Sequence, residues 1–446
     1  MSIKQEQSGV DAQEPFGSVL PFAEPSWAGS LGHTNPYYND SHRKLRAFTR
    51  KYVDTWIDKA PEWEEKGEVP QEQWQEHSRL GFSACFIQPL DPEYLQKAGI
   101  TLPAGISPDE WDPFHSMIVA DELMRVGYLG TIWGLGGGNS IGGPPIVRFG
   151  SKKLKDEILP DLLRGKKRVC LGVTEPQAGS DVAQLKTTAK LSQDGSHFIV
   201  NGQKKWITNG IYADYVTAVV RTGEDDSGAG GISVLVIPLT LPGVERKKLY
   251  NSGVNASGST LILFDDVKVP SHYLLGKQDQ GFRIVMSNFN GERLALAIQA
   301  TRMSRICIQD SYAYACKRQV FGKALIAQPV IRAKIADMGR AVERLQAWTE
   351  ELAHQARSAN KKTGDMELAG RVALLKVESG RCLELCNREA QQILGGLSYQ
   401  KGGNHAGARI EQISRDLRVM VVGGGSDEIL TDLGTRMEKM KSDSRL

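Results

Sequence analysis

The stretch from Leu171 to Gly210, LGVTEPQAGSDVAQLKTTAKLSQDGSHFIVNGQKKWITNG, constrains this chain more than any other. It opens on a loop of small and hydrogen-bonding residues, Thr174-Glu175-Pro176-Gln177-Ala178-Gly179-Ser180-Asp181. Two short apolar-alternating runs follow, with Asp194-Gly195 and Asn201-Gly202 as their expected turns. Both dipeptides tolerate the positive φ that a tight hairpin demands. The stretch therefore predicts a polar loop mounted on a small β-domain, with Trp206-Ile207-Thr208 at the end of the second run.

Helical patterns flank this β-rich region. HRKLRAFTRKYVDTWIDKA and PFHSMIVADELMRVG place apolar residues at helical spacing, and SKKLKDEILPDLLRG has a serine cap and a glycine stop. Between them GLGGGNSIGGPP reads as a connector, and it satisfies GxGxxG at no offset, so no Rossmann phosphate loop is expected. ADYVTAVVRT, GISVLVIPL and STLILFDDVKVP read as strands of a small barrel or sandwich. Four helices are expected after Gly281, the last beginning after Gly425-Ser426-Asp427. The implied fold is α+β. It has an irregular arm over 1–40, an N-terminal helical domain over 41–166 and a central β-barrel or sandwich over 167–278. A C-terminal four-helix bundle over 279–440 and a short tail over 441–446 complete it.

At 446 residues the chain is long enough for several domains. No apolar run approaches the roughly 20 residues that a membrane span needs. The net charge of +3 comes with no basic block, so neither a nucleic-acid partner nor a membrane span is expected. The six cysteines show no CxxC and no His/Cys metal spacing, so no metal is expected. The chain ends in Ser444-Arg445-Leu446, a conservative variant of a peroxisomal address. Peroxisomal import is the expectation, and a cytoplasmic location if the signal is unused.

VTEPQAGSD followed by NGQKKWITNG closely resembles the flavin-binding signature of the acyl-CoA dehydrogenase family. The resemblance extends over the chain beyond its first forty residues. It implies an FAD-dependent α,β-dehydrogenation of an acyl-CoA thioester to the trans-2-enoyl-CoA. That chemistry needs a base for the α-proton and an acceptor for the β-hydride, which no protein side chain supplies. By resemblance, Leu171, Val173, Thr174, Gly179, Ser180, Trp206, Ile207 and Thr208 line the flavin, and Ser180 also approaches substrate. Arg318 and Phe321, in Arg318-Gln319-Val320-Phe321-Gly322, match the family segment whose arginine reaches the flavin pyrophosphate of a neighbouring subunit. Gln392, Gly395 and Gly396 match the segment at the adenine half, and Ser426 and Glu428 match further flavin contacts. One departure is Pro329, where the family often has a glutamine. Shared sites imply a homodimer or homotetramer.

The base is the informative position. Many family members carry a glutamate where this chain has Gly424, which has no side chain to act as a base. In the isovaleryl and long-chain branches the base precedes an arginine on a bundle helix. Here that position is Glu292, followed by Arg293 and preceded by Asn290. Glu292 is accordingly expected to abstract the α-proton, with Asn290, Arg293 and Gly424 facing substrate and Asp427 as the alternative base. The electron acceptor is an electron-transfer flavoprotein, or oxygen if the enzyme behaves as an oxidase. An inactive flavin-binding scaffold is the non-enzymatic alternative. β-Oxidation and the tailoring of a secondary metabolite both stay open.

Overall fold

A computed structural model describes residues 17–28, 35–358 and 364–443. The tripeptide Ser444-Arg445-Leu446 and most of the expected arm lie outside them. Eight helices form the N-terminal domain: α1 (Asp40–Asp54), α2 (Ala60–Lys66), α3 (Gln71–Arg79), α4 (Phe82–Cys85), α5 (Pro92–Ala98), α6 (Pro113–Met124), α7 (Leu129–Phe149) and α8 (Lys152–Leu163). Asn39 and Asp112 cap α1 and α6 by accepting hydrogen bonds from first-turn N–H groups. Residues 17–28 are pinned by one buried carboxylate. Glu24 pairs with Arg46 at 2.7 Å and Arg50 at 2.8 Å on α1, and with Arg302 of the bundle at 3.1 Å.

The glycine-rich stretch expected as a connector is helical and forms most of α7. The reason lies in the neighbouring domain. Gly130, Gly134, Gly138 and Gly142 recur every four residues and form one helix face. A Cβ on each would stand 2.6–2.7 Å from the backbone of Val254, Ala256, Val169 and Cys170 respectively. Intrinsic propensity disfavours a helix there, and close packing against the β-domain overrides it.

The β-domain holds β1 (Val169–Gly172), β2 (Thr188–Leu191), β3 (His197–Ile207), β4 (Tyr215–Arg221), β5 (Ile232–Pro238), β6 (Val244–Lys248), β7 (Thr260–Pro270) and β8 (Leu274–Leu275). They build one mixed sheet in the order β6-β7-β3-β2-β4-β5-β8, with β1 parallel to β4. Asp194-Gly195 does turn β2 into β3. Asn201-Gly202 does not turn the chain and instead lies inside β3 as a bulge opposite β7, where the register shifts between Val200 and Gly202. Gly202 adopts φ 139°, and a Cβ there would stand 2.6 Å from Thr187 Cα, so the dipeptide serves a close approach.

The bundle comprises α9 (Gly281–Lys317), α10 (Pro329–Ser358), α11 (Gly364–Leu394), α12 (Ala408–Val422) and α13 (Asp427–Asp443). The hairpin β9 (Gln319–Val320) and β10 (Lys323–Ala324) follows α9. α9, α10, α11 and α13 answer to the four expected helices. α12 is an addition that the sequence reading did not separate. Asn387 on α11 reaches Cys307 on α9, with 3.9 Å between Nδ2 and Sγ. Nearer the other end of the same two helices, Lys376 and Glu292 interact electrostatically. α9 and α11 therefore run in the same direction.

Candidate active site

The expected flavin loop is held by an ion pair hidden beneath it. Glu175 and Lys204 are both buried and lie 2.7 Å apart. Glu175 also accepts from the N–H groups of Lys186 at 2.6 Å and Thr187 at 3.0 Å, and Lys204 donates to the Val173 carbonyl at 3.0 Å. Burial pulls the Lys204 ammonium down to about 8. Burial alone would raise the Glu175 carboxyl, but Lys204 and the N–H donors bring it below its ordinary value. With its base fixed, the loop turns Gly179 and Ser180 outward, and Thr174 is half-buried. Leu171 is half-buried, whereas the side chains of Val173 and Ile207 sit in the core and leave only backbone for a ligand.

Trp206 is 54% exposed and holds a left-handed backbone at φ 66°, which is costly for a bulky aromatic. Thr208 follows, with Cγ2 3.4 Å from where a Gly137 side chain would begin. Asn209 docks this corner on α7. Its Oδ1 accepts from Gly138 N–H at 2.7 Å, and its Nδ2 donates to the carbonyls of Trp133 at 2.9 Å and Ser257 at 2.8 Å.

α7 and α9 run antiparallel beside this corner. Asn288 donates to the Ile141 carbonyl at 2.9 Å, and Trp133 Nε1 donates to Gln299 at 3.2 Å. Between these ties each helix shows one partly open stripe: Gly136, Gly137 and Ser140 on α7, and Glu292 and Ala295 on α9. Apart from Glu292, these partly open residues are all small: glycine, serine and alanine. Gln299 lies seven residues beyond Glu292, on the same face and about 10.5 Å further along α9.

Glu292 Oε2 is shut off from solvent and has no hydrogen-bond partner. Burial pushes its carboxyl up to about 7, against the opposing charges of Arg293 and Lys376. Gly424 stands beside it at φ 67°. A side chain there would start 3.0 Å from Leu296 Cδ1, 3.6 Å from Arg293 Cγ and 4.0 Å from Glu292 Oε1. Arg293 is buried and donates from Nε to the Gly424 carbonyl at 3.0 Å. Asn290 is half-buried two residues before Glu292, and Ser426 and Asp427 are half-buried and Glu428 exposed just after the glycines. Asp427 Oδ2 is engaged by Arg381 at 3.2 Å.

The other expected contacts form a separate group. Arg318 is exposed at the far end of α9, 26 residues and about 39 Å from Glu292. Phe321 is 95% exposed at φ 49°. Gln392, Gly395 and Gly396 are exposed at the corresponding end of α11, with open space around both glycines. The expected flavin contacts of one chain thus fall in two groups at opposite ends of its bundle.

Sequence reasoning missed Glu175, Lys204, Asn209 and Lys376 as parts of this site. The lysines carried a signal, since each interrupts an otherwise apolar inner face. A His42, Asp112 and His115 group was also unforeseen, and its ligating atoms lie within 4.8 Å of one another. Each ring is already occupied. Nδ1 of His42 and of His115 accepts from the N–H of Asn39 and Asp112, while Nε2 meets Asp112 and Ser41 respectively. The group reads as two linked helix caps.

Family models match the chain in three consecutive pieces: acyl-CoA dehydrogenase N-terminal domain over 95–166, middle domain over 170–267 and C-terminal domain over 279–437. The chain belongs to the acyl-CoA dehydrogenase family. It is 43% identical over 428 residues to acyl-CoA dehydrogenase AFT10-1 of Alternaria alternata, covering 95% of this chain and 97% of that one. It is 41% identical over 422 residues to acyl-CoA dehydrogenase apdG of Emericella nidulans, covering 94% and 95%. Among solved structures, a probable acyl-CoA dehydrogenase from Mycobacterium abscessus superposes with a TM-score of 0.79 at 30% identity, covering 90% and 99%. Butyryl-CoA dehydrogenase from Megasphaera elsdenii does so at 0.78 and 26%, covering 90% and 98%.

This acyl-CoA dehydrogenase is therefore an FAD-dependent oxidoreductase acting on acyl-CoA. The residues present suit that cofactor. A half-exposed indole, an outward loop of small polar residues and a distant exposed arginine offer a plate, hydrogen-bonding edges and a phosphate partner. No described helix is long and apolar enough to cross a membrane.

Proposed function

We propose that this enzyme dehydrogenates an acyl-CoA thioester, with Glu292 as the base that takes the α-proton. The observation that carries the reading is the bare, buried Oε2 of Glu292 beside Gly424. A carboxylate that accepts no hydrogen bond keeps its lone pairs for substrate. Burial brings its pKa to about 7, near the pH at which a general base works best. Arg293 ties the Gly424 backbone to α9 beside Glu292. Bound FAD supplies the acceptor for the β-hydride, and the Trp206–Thr208 corner and the Thr174–Ser180 loop would hold it. The acyl chain would run between α7 and α9 toward the Trp133–Gln299 hydrogen bond, which would then limit its length.

Arg318, Phe321, Gln392, Gly395 and Gly396 lie too far from Glu292 to serve the same cofactor. Their exposure supports a homodimer or homotetramer in which each chain completes its neighbour's FAD site. An active, FAD-loaded monomer would refute this. For re-oxidation we propose an electron-transfer flavoprotein. The terminal Ser444-Arg445-Leu446 favours a second reading, with peroxisomal import and oxygen as acceptor.

One experiment addresses the reading as a whole. The purified protein should show an oxidised-flavin spectrum that bleaches anaerobically with a suitable acyl-CoA. Colour that returns promptly in air with release of peroxide supports oxygen; colour that returns only with an electron-transfer flavoprotein supports the carrier. A colourless protein that takes up no FAD would defeat the proposal.

A further inference from the structure

Lys376 is a cation that the chemistry above does not use. Its side chain is fully buried on α11. Nζ donates to the carbonyl of Val421, in the last turn of α12, and to the Gly425 carbonyl at 2.8 Å. These two carbonyls flank Gly423-Gly424, and Arg293 holds the Gly424 carbonyl between them. Two cations from two helices thus grip one turn of backbone.

The charged groups facing the ammonium are Asp427 at the start of α13 and Glu292 and Arg293 on α9. Burial draws the Lys376 pKa down to about 8, Asp427 and Glu292 oppose that shift, and Arg293 adds to it. Capping α12 does not by itself explain a cation here. Helix carbonyls are commonly capped by surface lysines or by a following glycine, whereas removing an ammonium from water costs several kcal/mol. What the interior position adds is proximity to Glu292.

We propose that Lys376 is a positioning residue for the base: it locks the glycine turn against Glu292 and supplies the positive charge that keeps this carboxylate ionised. The inference rests on Glu292 being the base. Two actions are combined in one side chain, and two substitutions separate them. Lys376→Met removes both charge and clamp. Lys376→Arg keeps the charge but replaces a compact ammonium with a planar fork that misplaces the carbonyl contacts.

The test is the pH profile of kcat/KM for both variants, with FAD content and thermal stability measured alongside. Lys376→Met should move the acidic limb to higher pH by about one unit, the effect expected on losing a nearby opposite charge. Lys376→Arg should leave the limb in place and lower kcat by about 10- to 100-fold at unchanged FAD content, as a slightly misplaced base does. A folded, FAD-loaded Lys376→Met with an unmoved limb overturns the proposal. So does Lys376→Arg with undiminished kcat, which decides the matter if the methionine variant does not fold. Glu292→Gln is run in parallel. If it keeps full activity, the base assignment has failed; if it is inactive and the Lys376 limb does not move, only the role of Lys376 has failed.

Discussion

At the residue scale, the site depends on what one position lacks. Gly424 carries no carboxylate, and a side chain there would begin 3.0 Å from Leu296 and 4.0 Å from Glu292 Oε1. That much was legible, because the empty position and the candidate acid each lie in a recognisable segment. The supporting charges were not. Glu175 meets Lys204 across 29 residues, and Lys376 meets the glycine turn across 45 and 49. No local pattern encodes which buried lysine finds which partner. Burial does leave a trace in sequence, a lone cation among apolar neighbours such as Ala373, Leu375 and Val377, but the trace names no contact.

At the scale of elements, α7 carries the main lesson. Its glycines were read as breakers, although their spacing of four residues marks a helix face. Periodicity outweighs propensity when a neighbouring backbone has to approach within van der Waals distance. Away from that face Trp133 is tied to Gln299 of α9, and under the proposal above this tie closes the acyl path. Replacing Trp133 with Ala removes the tie and a large ring at the closed end. Activity profiled over a series of straight-chain acyl-CoAs should shift toward longer chains, by about 10-fold or more in the ratio of kcat/KM for long over short substrates. An unchanged length preference in a folded Trp133→Ala variant would place the acyl chain elsewhere.

At the scale of the molecule, all three domains meet at one loop. Glu64 on α2 accepts from Asn255 N–H at 2.6 Å, and Asp416 on α12 accepts from Val254 N–H at 2.8 Å and from Leu129 N–H at 3.2 Å. Burial and then the neighbouring Glu64 raise Asp416 to about 7, and burial also raises Glu64. The folded form therefore retains protons that the unfolded chain releases near pH 4. Stability from this joint is full at low pH and is lost as pH rises to about 7. Asp416→Asn cannot titrate, so its melting temperature should depend less steeply on pH between about 4 and 7 than that of the wild type. Equal slopes would show that the joint is not proton-linked. The three-domain order was readable from patterning, while this joint was not, because each domain contributes only one or two residues to it.

The central claim is that Glu292 removes the α-proton. Exchange of the substrate α-hydrogen with deuterated solvent, measured anaerobically on FAD-loaded protein, tests it most directly. The account predicts that Glu292→Gln slows exchange by at least about 100-fold while Asp427→Asn leaves it within a few-fold of wild type. Exchange that persists in Glu292→Gln, or that vanishes in Asp427→Asn alone, would contradict it.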